Sequence, residues 1–505
     1  MNLNPRFLVI YLITGICVSN AFIQGEEFGF GTDSNSTHPN QHCKQVYASN
    51  TAFLFVLSYS SIIIFLFVGL ALVCDDYFVP VLEIIAEALN LPESVNGATF
   101  MAAGSSAPEL FTSLVAIVQN ENDVGVGTIT GSAIFNLLVI IAGSAFVAPT
   151  VLLVDWKPFI RDCLFYLASI IALILFAWDG AISWYEAIIL LIIYFFYIVT
   201  MFFNNQLMNV LEEFGNLLKS INPNVETEMS EMGNGKLPEK VEEEDSKNED
   251  EVEFVKILCL PKILLSHPEH KTKSKSDEEK LITGEEENSV VKTSSVSYIV
   301  SWIKYIFLFP HALLFALTIP KPSVIMNIKI GTAMILLPFA FLMSITMIGI
   351  YTYLTVFVVT ELACILEIPN FMMSLIVIAA GTSIPDMIAS LIVARQGKAD
   401  EAVSNALGSN IFDINLGLGL PFFLFFIRNG FSTKLEFNEF ETDYFVQPES
   451  KFGFILLFVM VLTLLFLVLS KFKLTKRLGA VLLILYCVFI LYAFLQDIIC
   501  NNVIC

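Results

Sequence analysis

Two short segments place glycine, hydroxyl residues, proline and one carboxylate inside stretches that are otherwise apolar. They are residues 104–109 (GSSAPE) and 381–386 (GTSIPD). Because proline has no N–H, the carbonyl of Gly104, four residues before Pro108, loses its helical hydrogen-bond partner. The sequence therefore predicts an opened helical turn in each segment, with backbone carbonyls exposed to a ligand.

The side-chain oxygens in and beyond these segments recur at helical spacing. Ser106 and Glu109 are three residues apart, so their oxygens project from one helix face, and Ser383 and Asp386 repeat this spacing. A second set has one helical turn between its members: Ser132 with Asn136, and Ser409 with Asp413. The donors are therefore hydroxyls, one amide, freed carbonyls and three carboxylates, without sulfur or imidazole.

This donor set suits a hard cation. Ca2+ takes about 6–8 oxygen ligands. A carboxylate at the bilayer centre costs at least ~2.5 kcal/mol on insertion scales, so Glu109, Asp386 and Asp413 would not lie there without a compensating charge. Small residues such as Gly131 and Gly408 instead suit close helix packing. We interpret the three carboxylates as cation ligands.

The composition indicates a membrane protein. Of 505 residues, 56% are hydrophobic and only 15% are charged, too few for so large a soluble surface. The apolar residues form blocks of about 20, long enough to cross a bilayer as helices. With 48 acidic and 27 basic residues, a nucleic-acid partner is excluded. The cysteines form no CxxC pair and the five histidines lie outside the main apolar blocks, which excludes zinc, redox and Ser-His hydrolase sites.

We expect an all-α polytopic membrane protein with ten transmembrane helices, arranged as two inverted five-helix repeats after a cleaved signal peptide. An uncleaved signal anchor is the alternative for the N-terminus. Residues 204–297 hold 21 acidic residues and 11 lysines, a balance of −10, which predicts a disordered cytosolic loop. The predicted parts are a signal peptide (1–21), an extracellular or lumenal segment (22–50), the first five-helix repeat (51–203), the acidic loop (204–297), an interfacial helix (298–320), the second five-helix repeat (328–497) and an extracellular or lumenal tail (498–505).

The apolar block 300–319 decides the number of spans. Pro310, His311 and Pro320 make it a poor transmembrane helix, so we expect it to lie at the membrane interface. Basic residues then fall in the cytosol, as the positive-inside rule requires: Arg395, Lys398, Lys471, Lys473, Lys476 and Arg477. On the opposite side, Asn35 begins a candidate N-glycosylation triplet, and Cys43 has Cys500 or Cys505 as a candidate disulfide partner.

The sequence contains an internal repeat. Residues 102–106 (AAGSS) recur as 379–383 (AAGTS), an offset of 277 (381 − 104) that holds without a gap. The same offset relates Gly131-Ser132 to Gly408-Ser409 and Glu109 to Asp386. Each copy begins in the second span of its half, so in a ten-span protein the copies run in opposite directions across the bilayer. Inverted repeats with interrupted helices are typical of secondary transporters that bind substrate near the membrane midplane.

At these residues the chain resembles the potassium-dependent sodium/calcium exchangers, within the cation/calcium exchanger superfamily. The stretches that carry the resemblance are 97–114, 123–136, 379–400 and 402–414. They resemble the two α-repeats of that family, which here correspond to residues 97–146 and 371–420. The acidic loop, with under a hundred residues of low complexity, also resembles this family, since it is too short for the two folded calcium-sensing domains of potassium-independent animal exchangers.

The resemblance implies roles for individual residues. Glu109 and Asp386 would be the central Ca2+ and Na+ ligands, and Asp413 would determine K+ dependence, because potassium-independent exchangers carry Asn at that position. The assisting ligands would be Ser105, Ser106, Thr382, Ser383, Ser132, Asn136 and Ser409, with the carbonyls near Ala102 and Ala379. Independently, the three carboxylates sum to −3, which Ca2+ with K+ neutralises. The spans 51–74 and 329–357 would form the gating pair that slides against the other helices.

We therefore expect an antiporter, not an enzyme, that exports Ca2+ with K+ in exchange for Na+ and needs no cofactor. Its partners would be these small inorganic cations and the lipid bilayer, and a homodimer stays open. The alternatives are a potassium-independent or proton-coupled exchanger, a cation channel, and an intramembrane aspartyl protease that would use Asp386 and Asp413. The GxGD motif of such proteases is absent from the sequence. We expect the plasma membrane as the location, with an acidic intracellular compartment as the alternative.

Overall fold

The computed structural model describes residues 52–89, 97–119, 121–203, 206, 295–322, 325, 330–436 and 448–500. The predicted signal peptide, the residue Asn35 and nearly all of the acidic loop lie outside these residues. The described residues are helical over most of their length, in agreement with the prediction from the apolar blocks.

The helices of the first half follow the apolar blocks. They are α1 (Ala52–Val73), α2 (Val79–Ala88), α3 (Ala102–Ser105), α4 (Ala107–Val118), α5 (Asn122–Phe135), α6 (Ile141–Val147), α7 (Trp156–Phe176) and α8 (Trp184–Phe202). Single π-helical turns lie between α1 and α2 (Cys74–Phe78), before α3 (Gly97–Met101) and between α5 and α6 (Asn136–Ile140). Local capping begins α8, where the backbone N–H of Ser183 donates to Glu186 Oε2 over 2.7 Å.

The second half contains one additional helix, α9, before the helices that correspond to those of the first half. Its helices are α9 (Ser295–Thr318), α10 (Ile330–Leu366), α11 (Asn370–Met373), α12 (Ala379–Thr382), α13 (Ile384–Arg395), α14 (Ala399–Phe412), α15 (Gly419–Asn429), α16 (Pro448–Leu469) and α17 (Lys476–Cys500). π-helical turns cover Ser374–Ile378 and Asp413–Leu418.

The internal repeat of the sequence is also a repeat of local structure. α3, α4 and α5 begin and end 277 residues before α12, α13 and α14, for example Ala107 against Ile384 (384 − 107). The π-helical turns before α3 and after α5 begin at the same offset from their counterparts. The shared positions of glycine, proline and hydroxyl residues therefore produce the same helix breaks in both halves.

Eight helices of the described residues are long and apolar enough to cross a membrane, or ten if each of two bent pairs is one span. The bent pairs are Thr99–Ser105 with Ala107–Val118, at 63°, and Asn370–Thr382 with Ile384–Arg395, at 43°. The span Asn122–Val147 is the most central, since 94% of its most apolar window is buried, against 22% for Lys476–Gln496. The part of α9 whose side chains are described, Phe307–Thr318, is too short to count as a span, and the interfacial position of α9 stays a prediction.

Two short antiparallel pairings join the loops between helices. β1 (Leu152–Leu153) pairs with β4 (Lys473–Leu474), and β2 (Ala181–Ile182) pairs with β3 (Leu435–Glu436). The prediction of an all-α protein misses these strands, because each has two residues and is formed only by a partner far away in the sequence.

The buried apolar side chains form two separate clusters. The larger joins α5 to α8 with α14 to α17, and we call these helices the core. The smaller joins α1, α2, α9 and α10, together with the facing side of α4. The two spans predicted as a gating pair, here α1 and α10, therefore share a hydrophobic cluster that is distinct from the cluster of the core.

The cysteines whose side chains the structure describes include a disulfide-bonded residue and free thiols. Cys364, near the end of α10, is disulfide-bonded, whereas Cys74, Cys163 and Cys487 are free thiols. The predicted pairing of Cys43 with Cys500 or Cys505 concerns side chains outside those that the structure describes.

Candidate cation-binding site

Two helix breaks determine where the central carboxylates lie. The regular helix is interrupted at Ser106, with ψ of 11°, and again at Ser383, with ψ of 4°. Pro occupies the first turn after each break, where its missing N–H is tolerated. Glu109 and Asp386 are consequently first-turn residues of α4 and α13, where the helix N-terminus favours a negative charge.

The second set of polar residues lies on α5, α14 and the π-helical turns that follow them. Ser132 and Ser409 are in the last turns of α5 and α14, and Asn136 and Asp413 begin the π-helical turns. A π-helical turn adds one residue to the helical turn and changes the direction of the side chains that it carries. All four side chains are at most 1% exposed.

The three predicted carboxylates lie together in the structure. One oxygen atom from each of Glu109, Asp386 and Asp413 lies within 4.8 Å of the corresponding oxygen atoms of the other two. All three residues are 0% exposed. Among the described residues, no lysine, arginine or histidine forms an ion pair with any of them. Like charges at this separation repel strongly in a medium of low dielectric constant, so the arrangement requires positive charge or protons.

Hydrogen bonds around Glu109 join the two repeats. Ser132 Oγ and Ser383 Oγ, one from each repeat, are 2.7 Å apart. Ser383 Oγ donates to Glu109 Oε1 over 3.2 Å, and Ser132 Oγ lies 3.4 Å from the same oxygen. The carboxylate of the first repeat is thus held by a hydroxyl of the second.

The amide of Asn136 forms the corresponding link to the second repeat. Its Nδ2 atom lies 2.9 Å from Asn410 Oδ1, 3.2 Å from Ser409 Oγ and 3.4 Å from Asp386 Oδ2. With the nitrogen directed at these acceptors, Oδ1 of Asn136 has no hydrogen-bond partner among the described residues. That oxygen is therefore available to a cation.

Sequence reasoning missed Asn410. Its own amide nitrogen lies 3.2 Å from both the carbonyl oxygen of Ala133 and the hydroxyl of Tyr166, so it fixes the side chain that in turn holds Asn136. The counterpart of Asn410 in the first repeat is Ala133 (410 − 277), an apolar residue. Comparison of the two repeats therefore does not indicate a role for Asn410. Its position next to Ser409 in the sequence is the signal that could have indicated one.

Two of the predicted assisting hydroxyls bond to their own helices. Ser105 Oγ donates to the carbonyl of Met101 over 3.2 Å, and Thr382 Oγ1 donates to that of Ile378 over 3.1 Å. The carbonyls of Ala102 and Ala379 also accept backbone N–H groups, from Ser106 at 2.9 Å and Ser383 at 3.2 Å. Each of these carbonyl oxygens retains a second lone pair. The Ser105 hydroxyl also interacts with Asp386, and the Thr382 hydroxyl with Glu109, so each of these hydroxyls faces the carboxylate of the opposite repeat.

Six buried oxygen atoms of this cluster have no hydrogen-bond partner among the described residues. They are Ser106 Oγ, Glu109 Oε2, Asn136 Oδ1, Asp386 Oδ1 and both carboxylate oxygens of Asp413. Leaving buried oxygens without partners costs free energy, and a charged oxygen costs the most. The donor set consists of oxygen alone and its number matches the coordination of a hard cation such as Ca2+. The residues therefore fit one or more desolvated cations.

Comparison with known proteins identifies similar chains. The family model described as "sodium/calcium exchanger protein" matches residues 59–203 and 336–495. Sodium/potassium/calcium exchanger 4 of Mus musculus is 32% identical, with 86% of this chain and 80% of that protein covered. Sodium/potassium/calcium exchanger 2 of Homo sapiens is 30% identical, with 86% and 77% covered. The crystal structure of the H+/Ca2+ exchanger CAX aligns with 98% of this chain and 91% of its own, at 13% identity and a TM-score of 0.49.

Proposed function

The chain belongs to the potassium-dependent sodium/calcium exchanger family, and from this premise we propose that it exports Ca2+ together with K+ in exchange for Na+. It is an integral membrane transporter of the cation/Ca2+ exchange type and not an enzyme. The proposal adds the coupling to K+, the driving Na+ gradient and the site at the contact of the two repeats.

One observation carries the proposal: the six unpartnered oxygens converge where three carboxylates meet. Three ionised carboxylates sum to −3, and Ca2+ with K+ supplies +3. An uncompensated charge is expensive at the bilayer centre, so the site binds the two cations together or releases both. Na+ ions bind to the same carboxylates, hence they compete with Ca2+ and K+, and this competition enforces exchange.

The two hydrophobic clusters support an alternating-access mechanism. Glu109 and Asp386 lie at helix breaks between the core and the cluster that contains α1 and α10. Because α1 and α10 pack in their own cluster, they slide against the core without disrupting its packing. This movement opens the carboxylates to one side of the membrane and then to the other, as in other transporters built from repeats.

The experiment is Ca2+ uptake into Na+-loaded cells, measured with and without external K+. The wild-type chain requires both internal Na+ and external K+. The Asp413→Asn variant lowers the site charge to −2, which Ca2+ alone neutralises, so its uptake no longer depends on K+. Retained K+ dependence in this variant would assign K+ binding to another residue.

The same assay separates the alternatives. Uptake that never depends on K+ indicates a potassium-independent exchanger, and uptake driven by a pH gradient without Na+ indicates a proton-coupled one. Ca2+ current that persists after removal of Na+ on both sides indicates a channel. Any of these three results contradicts the proposal.

Glu109→Gln tests the site assignment. It removes one of the three charges and replaces the carboxylate with an amide of the same shape, so exchange is abolished while the protein still reaches the membrane. Glu87→Gln is the matched control, since Glu87 lies on α2 and is exposed. Normal flux in the Glu109 variant would contradict the assignment. Surface labelling in this experiment also tests the plasma membrane as the location, against an acidic intracellular compartment.

A further inference from the structure

The helix α9 lies outside both five-helix sets, yet one of its faces is buried. Leu308, His311 and Phe315 are at most 5% exposed and recur at spacings of three and four residues, which places them on one side of the helix. The opposite side exposes further apolar residues, with Leu317 78% exposed. The described part of α9 thus packs against protein on one side and is suited to lipid on the other.

The buried face of α9 packs against α1 and α10. The ring of Phe315 lies 5.6 Å from that of Tyr351 on α10, and the ring of His311 lies 4.0 Å from that of Phe65 on α1. Leu308 and Phe315 belong to the smaller hydrophobic cluster and not to that of the core. In its packing, α9 is a third member of the group that contains the gating pair.

The three helices meet at one point. His311 Nδ1 and the hydroxyl of Tyr351 form a hydrogen bond of 2.7 Å. Gly69 of α1 lies against both: a Cβ atom there would overlap the ring of Tyr351 and would lie 2.8 Å from the ring of His311. The absence of a side chain at Gly69 is what lets α1 approach the other two helices this closely.

Burying a histidine at this position costs free energy. The ring is 1% exposed, and its Nε2 atom has no hydrogen-bond partner among the described residues. A phenylalanine would fill the same space without burying an unpartnered nitrogen. Packing alone therefore does not account for His311, whereas its bond to Tyr351 gives α9 a fixed position relative to α10.

We propose that α9 moves as one body with α1 and α10 during exchange, and that His311 is the positioning residue that fastens α9 to this body through Tyr351. The inference rests on the proposed function, because it concerns how the gating pair moves. The hydrogen bond is then present at both ends of the movement. Its loss slows the passage between the two states and leaves cation binding in each state unchanged.

The transport test uses the full chain in Na+-loaded proteoliposomes, with uptake of Ca2+ measured over a range of Ca2+ and K+ concentrations. His311→Phe and Tyr351→Phe each remove the bond and keep a ring of similar size. We expect each to lower the maximal rate up to about fivefold with half-saturating concentrations unchanged, because passage occurs only while α9 is docked on α10 and the loss of one net hydrogen bond lowers the docked fraction by about that factor. The double variant should be no slower than His311→Phe alone, since that substitution already removes the bond to Tyr351. It also removes the interaction of the imidazole with the backbone of Phe65, so Tyr351→Phe is the milder of the two single variants.

The control is Tyr353→Phe, which removes a hydroxyl two residues along the same helix from a side chain that is 45% exposed. Its rate should equal that of the wild type. Three results would each overturn the inference: unchanged rates in the His311 and Tyr351 variants, rate losses that multiply in the double variant, or altered half-saturating concentrations. The last result would mean that the bond exists in only one of the two states.

Hydrogen–deuterium exchange of the purified chain separates this inference from the proposed function. On transfer from Na+ to Ca2+ with K+, peptides from α9 and α10 should change their exchange together, and in His311→Phe the response of α9 should be lost while that of α10 remains. A response in α5, α10 and α14 without one in α9 of the wild type overturns the inference alone. No response anywhere means that these cations do not bind, which overturns the proposed function and the inference with it.

Discussion

At the scale of single residues, the two repeats differ in charge at one position of the site. Asn136 and Asp413 are counterparts, 277 residues apart (413 − 136), and each begins a π-helical turn. Glu109 and Asp386 are also counterparts, but both are acidic. The site thus has three carboxylates and not four, because Asn136 stands where the second repeat has Asp413.

This asymmetry leads to a prediction about the amide. Asn136→Asp raises the site charge to −4 and removes the N–H group that lies near Asp386 Oδ2. We expect Ca2+ uptake to fall at least about tenfold, because an unmatched buried charge costs more than ~1.4 kcal/mol. The measurement is Ca2+ uptake into Na+-loaded cells, normalised to the amount of protein at the membrane.

The double variant Asn136→Asp with Asp413→Asn is the control for charge. It returns the site to −3 with the amide in the other repeat, so uptake should recover to several times that of the Asn136 variant. If uptake by the double variant is no higher than uptake by Asn136→Asp alone, the total charge of the site does not control Ca2+ uptake.

At the scale of helices, the same residue type at corresponding positions of the two repeats is packed differently, as Gly131 and Gly408 show. Gly131 of α5 lies directly against the carbonyl oxygen of Leu375, and a Cβ atom there would also lie 2.7 Å from the Cβ atom of Ala379. At its counterpart Gly408, an added Cβ atom would meet only the hydroxyl of Tyr197, at 3.7 Å. The backbone of the second repeat therefore approaches α5 far more closely than any neighbour approaches α14 at this point.

The pair gives a matched prediction. Gly131→Ala forces backbone atoms apart, at a cost of about 1–3 kcal/mol or more, while Gly408→Ala fits into ordinary contact distance. We expect the first to lower the thermal unfolding temperature of the purified protein and its Ca2+ uptake, and the second to change neither. Equal effects of the two substitutions would contradict the packing described for α5.

The helix breaks could be predicted from sequence and the contacts could not. Glycine and proline at 104–108 and 381–385 alter the backbone locally, so the sequence alone indicates where each helix opens. The π-helical turns at Asn136 and Asp413 have no such local signal. The role of Asn410 and the difference between Gly131 and Gly408 depend on which segment lies opposite, and that is decided by the packing of the whole chain.

At the scale of the whole molecule, most of the chain's acidic residues lie outside the candidate cation-binding site. The acidic loop predicted over 204–297 carries a balance of −10, whereas the site uses three carboxylates that the apolar helices bury. The sequence predicted two five-helix sets around one site and an interfacial helix over 298–320, but it gave no indication that α9 packs against α1 and α10.

The separation predicts that the loop can be shortened. Deletion of residues 225–285 leaves α8 and α9 intact, so the chain should retain Ca2+ uptake within about twofold, as expected for a segment whose high charge predicts that it stays outside the packed helices. Uptake per protein at the membrane is the measurement. A loss of uptake without a loss of surface protein would show that the loop acts on transport.

The hydrogen bonds between the repeats also determine when, during synthesis of the chain, the surroundings of Glu109 can form. Glu109 accepts a hydrogen bond from Ser383 and lies beside Asp386 and Asp413, all of which belong to the second half. A ribosome adds about 5–20 residues per second, so the roughly 300 residues between Glu109 and Asp413 take about 15–60 s to appear. During that interval Glu109 is in the membrane without the residues that surround it in the folded protein, so the proposed ion site forms only after the second half has been synthesised.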